Sequence, residues 1–132
     1  MANSLKNILE DTEGCLALLE VLAENSFDSV LITDALAEGK IIYANKAFEK
    51  LTGHDPDSVI GNTPRILQGP GTDVKVIARL AKALKTGGTF EGKAINYKKD
   101  GTPFIMYWRV LPIKTDKTIV AWVAIQREGS VI

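Results

Sequence analysis

Phe104-Ile105-Met106-Tyr107-Trp108-Arg109-Val110-Leu111, with Pro103 before it and Pro112-Ile113 after it, decides the fold. Aromatic and β-branched residues dominate the run, so residues 103–113 read as a strand. Alternation places Phe104, Met106, Trp108 and Val110 on one side and Ile105, Tyr107, Arg109 and Leu111 on the other. Both sides carry large apolar groups. An antiparallel sheet with one face in water is polar on that face, so something must cover each face of this one.

Outward from that strand, Lys99-Asp100-Gly101 and Thr115-Asp116-Lys117 are turn sequences. They make residues 89–97 and 118–126 the flanking strands of a three-stranded antiparallel run. Ala94 and Asn96 share one side of the first. In the second, Val120, Trp122, Ala124 and Gln126 oppose Ile119, Ala121, Val123 and Ile125. Upstream, residues 72–85 read as a helix with Thr72 or Asp73 as N-cap. Its apolar stripe is Val76, Ile77, Leu80, Ala81 and Leu84, and Gly87-Gly88 stops it. Residues 61–71 hold three Gly and two Pro and read as irregular. Asp55-Pro56-Asp57-Ser58 starts a short helical turn. Asn45 caps a short helix over 46–52 that ends at Gly53. Residues 29–34 and 40–44 pair as a hairpin across 35–39.

Residues 4–25 read as a further helix, with Ser4 as N-cap and Leu5, Ile8, Leu9, Leu16, Leu19, Val21 and Leu22 near helical spacing. Gly14 weakens it, which predicts a break near Thr12 to Gly14. The sum is an α+β domain: a five-stranded antiparallel sheet with helices on one face. The N-terminal helix is the spare amphipathic element. It covers the outer sheet face of its own chain, or it pairs with a second copy in a homodimer built on that face.

Composition narrows the class. The chain has 132 residues, enough for one core without metals or disulfides. Lys plus Arg number 16 and Asp plus Glu 16, so no basic excess points to nucleic acid. The single cysteine, Cys15, excludes an intrachain disulfide, and one His with one Cys cannot make a standard structural zinc site. No apolar run approaches the roughly 20 residues that span a bilayer. No signal peptide is legible, which makes a cytoplasmic location the expectation.

Four separated motifs carry a family resemblance. Ile42-Tyr43-Ala44-Asn45-Lys46-Ala47-Phe48 with Leu51-Thr52-Gly53 resembles the YANxAFxxLTGY signature of PAS domains. Residues 60–69, Ile-Gly-Asn-Thr-Pro-Arg-Ile-Leu-Gln-Gly, resemble the GxNCRFLQG signature of their flavin-binding blue-light (LOV) branch. Asn96-Tyr97-Lys98-Lys99-Asp100-Gly101-Thr102-Pro103-Phe104 resembles NYxKDGxxF, and Ala124-Ile125-Gln126 resembles the closing GVQ. The likeness covers about residues 25–127. It divides the chain into an N-terminal amphipathic helix (1–25), a PAS/LOV-like domain (26–128) and a C-terminal tail (129–132).

The resemblance implies a sensory, signal-transducing domain whose sheet and long helix enclose flavin mononucleotide (FMN). Arg65 then matches a phosphate-binding arginine, Gln68 a glutamine near the ribityl chain, and Asn96 an asparagine on the pyrimidine edge. Gln126 matches the glutamine beside the ring nitrogen, and Thr33 a threonine near the ring. The departures matter equally. Pro64 stands where LOV domains carry the reactive cysteine, so no cysteinyl-flavin adduct can form there. Thr63 and Met106 replace two ligand-binding asparagines, Ala81 stands where a second phosphate-binding arginine is common, and Trp108 is larger than the usual phenylalanine.

The same residues also have plain structural readings. Arg65 can tie the irregular loop to the sheet, and Gln68 can cap local backbone. Asn96 and Gln126 can bond the protein's own groups. Met106 and Trp108 can simply fill the core, and His54 is expected in solvent. No nucleophile-and-base pair or paired carboxylates suggest an enzyme. Two functions remain open: a sensory PAS domain holding FMN without the thiol, responding by photoreduction or by reading redox state, and a flavin-free PAS module acting through dimerisation or another small ligand. The signalling effector is not legible.

Overall fold

The computed structural model describes residues 10–130. Ser4, Leu5, Ile8 and Leu9, assigned to the first helix by spacing, lie outside the described residues. The first described helix, α1, is Thr12–Glu24. Asp11 caps it, its carboxylate accepting the Gly14 N–H at 3.2 Å. The break expected near Gly14 therefore falls just before it, and Gly14 lies in the first turn, where a missing side chain costs little.

Strands β1 (Ser29–Asp34) and β2 (Ile41–Ala44) form the expected hairpin. Asn45 caps α2 (Lys46–Thr52), which ends at Gly53 in a left-handed conformation, φ 78°. Two 3-10 turns follow, Pro56–Val59 and Pro64–Leu67. The second lies in the segment read from sequence as irregular; Pro64 at its first position presets φ for it. Helix α3 (Val74–Thr86) starts at Asp73, whose carboxylate accepts the Lys75 N–H, and stops at Gly87. Strands β3 (Phe90–Tyr97), β4 (Pro103–Thr115) and β5 (Thr118–Glu128) complete the sheet.

The sheet order is β2-β1-β5-β4-β3, antiparallel throughout. The first and last strands in sequence thus meet at its centre. Leu31, Phe90, Ala94, Phe104, Met106, Trp108, Val110 and Trp122 project from the sheet into one core with Phe48, Val59 and Leu67. The alternation read from 103–113 is correct, with Phe104, Met106, Trp108 and Val110 buried.

Two readings of face need correction. Val120, placed inside by strict alternation, is 46% exposed, and Ile119 packs on the core instead. An irregularity pairs Ile113 with Ala121 but Lys114 with Ile119, leaving Val120 without a partner on β4 and shifting the phase. On α3, Ala83 rather than Ala81 joins Val76 and Leu80 against the core. The 76, 80, 83 spacing follows one helical face, and Ala81 lies outside it.

Helix α1 does not cover the outer sheet face with buried contacts. None of its residues is buried; Leu16, Leu19 and Leu22 are 57–61% exposed. Its last turn is tied down by two polar bonds. Tyr43 donates its hydroxyl to Glu24 at 2.5 Å, and Asn45 Nδ2 donates to Ala23 O at 2.7 Å. Burial and the Glu24 carboxylate push the Tyr43 phenol above its ordinary range.

Both sheet edges are capped by the chain itself. On β2, Ile41 donates its N–H to Asn62 O and accepts from the Gly61 N–H. On β3, the Glu91 carbonyl accepts from Arg79 Nη1 at 3.2 Å and the Ile95 carbonyl from the Thr72 hydroxyl at 2.7 Å.

Candidate functional site

Between α3 and the sheet lies a cavity of about 80 Å³. Its helical wall is Pro64, Leu80 and Leu84, and its sheet wall includes Leu31, Val110, Ala124, Trp108 and Trp122. Thr33 and Gln126 supply its polar side chains. The cavity arises because α3 meets the sheet through half-buried side chains; none of its residues is fully buried. Two indoles then occupy much of the space between the layers.

Gln126 is 3% exposed, and its side-chain carbonyl accepts the Ser29 hydroxyl at 3.0 Å. The two residues are direct cross-strand partners. Either side of Ser29, the chain is fixed by further polar contacts. Asp28 holds Arg127 through a 2.6 Å ion pair, and the Val30 N–H donates to Asn45 Oδ1 at 2.9 Å. Asn45 is fully buried; it accepts the Phe48 N–H as helix cap and donates to both Asp28 O and Ala23 O. A polar path therefore runs from the cavity wall at Gln126, through Ser29 and its neighbours, to Asn45 and the last turn of α1.

The sequence-predicted site residues divide in two. Thr33 and Gln126 come together on the cavity, with Pro64 facing them across it. Arg65 is exposed on the second 3-10 turn, and Gln68 is half-buried at its end. Asn96 is 4% exposed on the inner sheet face, but it lies outside the cavity wall, with Nδ2 3.7 Å from the Met106 sulfur. Ser29 and Asn45 went unrecognised as site residues. Asn45 carried a signal only as a helix cap. Ser29 carried none, because its contact with Gln126 depends on a pairing between the two ends of the chain.

His54 is half-buried rather than solvated, its ring 6.4 Å from that of Phe48. Burial first, and Lys99 second, lower its pKa from the ordinary histidine value. Larger grooves lie on the surface. One, near 460 Å³, is lined by Arg79, Lys93, Tyr107, Arg127 and Glu91 among others. Two of its charged groups pair with residues outside it, Glu91 with Arg109 at 2.7 Å and Arg127 with Asp28 at 2.6 Å, and it meets none of the predicted site residues.

A flavin can be tested against these walls. Sites for cofactor-sized ligands occupy about 300–1,000 Å³, and the cavity offers about 80 Å³. Trp108 and Trp122 fill the layer between sheet and α3, and the amide of Asn96 lies outside the cavity wall. As arranged, these residues do not form a flavin-sized site. Among the described residues, no His, Cys, Asp and Glu group could hold a metal ion, and no helix is long and apolar enough to cross a membrane.

Comparison with known proteins places these features in context. A family profile described as PAS domain matches residues 28–129. Phototropin-2 of Oryza sativa subsp. japonica is 33% identical over 130 residues, 97% of this chain and 14% of that protein. The blue-light-activated histidine kinase of Brucella anthropi is 43% identical over 88 residues, 66% of this chain and 18% of that protein. The chain thus spans less than a fifth of these curated relatives. Among solved structures, the LOV domain of the Erythrobacter litoralis EL346 blue-light activated histidine kinase superposes with TM-score 0.73 at 35% identity, covering 76% of this chain and 94% of that one. The light state of the blue-light photoreceptor Aureochrome1 LOV gives TM-score 0.75 at 30% identity, covering 88% and 89%.

Proposed function

Because the chain belongs to the PAS domain family, with light-oxygen-voltage domains among its homologues, we propose that it is a sensory signalling module that works without flavin, as a dimer of two copies. The observation that carries this reading is the polar path from Gln126 through Ser29 and Asn45 to Ala23. It links the cavity to α1, whose Leu16, Leu19 and Leu22 are exposed among the described residues. A change at the cavity wall alters the bond at Ser29, and Asn45 passes the shift to the last turn of α1.

Two observations favour the flavin-free form. The cavity has about a quarter of the lower volume limit for cofactor-sized ligands. Pro64 stands at the position that matches the family's adduct-forming cysteine, and Cys15 lies in α1, away from the cavity wall. The dimer reading rests on α1 and the outer sheet face. Leu16, Leu19 and Leu22 recur along one side of the helix, and Ile95, Ile113 and Ile125 are 37–38% exposed on the sheet. Two ion pairs lie on this face: Tyr107 and Arg109 hold the Glu91 carboxyl below its ordinary range, and Arg127 pairs with Asp28.

The test has two arms. Purified protein should be colourless and should take up no added FMN; yellow protein with green fluorescence overturns the flavin-free reading. Sedimentation at tens of micromolar should give a dimer, and Leu19→Glu should give a monomer of unchanged fold. A monomeric parent protein overturns the dimer.

A further inference from the structure

We infer that the cavity beneath α3 binds a small uncharged molecule of about two to four non-hydrogen atoms with a hydrogen-bond-accepting end. This deepens the flavin-free sensory reading and rests on it, since it names what the same site takes. The cavity's 80 Å³ is roughly half the ~150 Å³ of an engineered apolar cavity that takes benzene. Size therefore excludes aromatic rings as well as nucleotides.

Polarity narrows the guest further. The walls are built mostly from Leu31, Leu80, Leu84, Trp108 and Trp122. No ionisable side chain lines them, so an ionic guest would lose its hydration without a counter-charge. A lone water would find in Thr33 and Gln126 the minimum of the two to four polar partners a buried water takes and would leave the apolar walls unfilled. The Gln126 carbonyl is already taken by Ser29. What Gln126 still offers is its amide N–H₂, and Thr33 offers its hydroxyl. Both can donate, so the matching guest accepts. A small carbonyl compound satisfies size, charge and polarity together.

The position gives such a guest a readout. It would share Gln126 with Ser29, the first bond of the path to α1. It would also contact Trp108 and Trp122, the chain's only tryptophans, so both indole N–H signals report on occupancy.

The experiment follows those two signals by nitrogen-15 NMR of the whole chain, with acetone as probe, acetate as its charged counterpart and benzene as the oversized control. Acetone is expected to shift both signals saturably, and neither acetate nor benzene to do so. Ala124→Leu, which fills the cavity, should abolish the acetone response. Should that variant fail to fold, Thr33→Val, which keeps shape but removes the hydroxyl, should weaken acetone binding at least threefold. Signals that acetone leaves unmoved, or that respond equally to acetate or benzene, overturn the inference. Colour, FMN uptake and sedimentation are read separately, so failure here is distinct from failure of the flavin-free dimer.

Discussion

Asn45 shows how much one amide can organise. Its carbonyl oxygen accepts the Val30 and Phe48 N–H groups, while its Nδ2 donates to Ala23 and Asp28. Asn45→Ala removes all four contacts from a fully buried site, with an expected loss of about 3 kcal/mol in urea-unfolding stability. Asn45→Asp keeps the two acceptor contacts and loses the donors, so it should free the last turn of α1 while leaving the α2 cap; faster hydrogen exchange at Asn25 and Ser26 with slow exchange at Phe48 is the expected pattern. His54 makes a pH prediction. Its pKa is lowered in the fold, so the unfolded chain takes up the proton first. Stability is then full above about 6.5 and falls as pH drops below that value, and His54→Gln should flatten the fall in melts recorded between pH 7 and pH 5. Residues of this kind were half legible in the sequence. Gln126 stood out because an amide in the middle of an apolar strand needs a reason. Ser29 did not, since a serine at the start of a strand is unremarkable until its cross-strand partner is known.

At the scale of elements, local chemistry was readable almost everywhere. Asn45, Asp73, Gly53 and Gly87 end their helices as the capping rules require. The errors lie where tertiary contacts overrule local pattern, as at Val120, whose bulge depends on β4, and at Ala81, whose neighbour Ala83 meets the core. The hairpin between β4 and β5 offers a test of turn chemistry. Asp116 and Lys117 both have positive φ, 52° and 78°, the signature of a two-residue turn that favours Asn-Gly. Lys117→Gly should relieve the left-handed strain and raise stability by about 0.5–1 kcal/mol, read as an increase in Tm. At α1, Asp11→Ala removes the N-cap and should cost the helix about 1 kcal/mol, visible as reduced helical circular dichroism with the sheet signal unchanged.

For the molecule as a whole, the fold was legible because both faces of β4 are apolar and because four motifs occur in order. The site was less legible. Sequence could list polar residues on the inner face, but it could not show that Trp108 and Trp122 close the space between sheet and helix to a small cavity. It could not show that α1 leaves its leucines exposed, because that depends on where the helix lies rather than on its composition. The capped sheet edges carry a consequence beyond function. A free strand edge is a template on which other chains add without limit, and this chain stops both ends: Gly61 and Asn62 at β2, Thr72 and Arg79 at β3. Removing the β3 cap with Thr72→Val and Arg79→Ala together should yield a chain that seeds fibrils, seen as a rise in thioflavin fluorescence on gentle heating that the parent protein does not show. The same four residues would then mark the boundary between a closed sheet and runaway polymerisation.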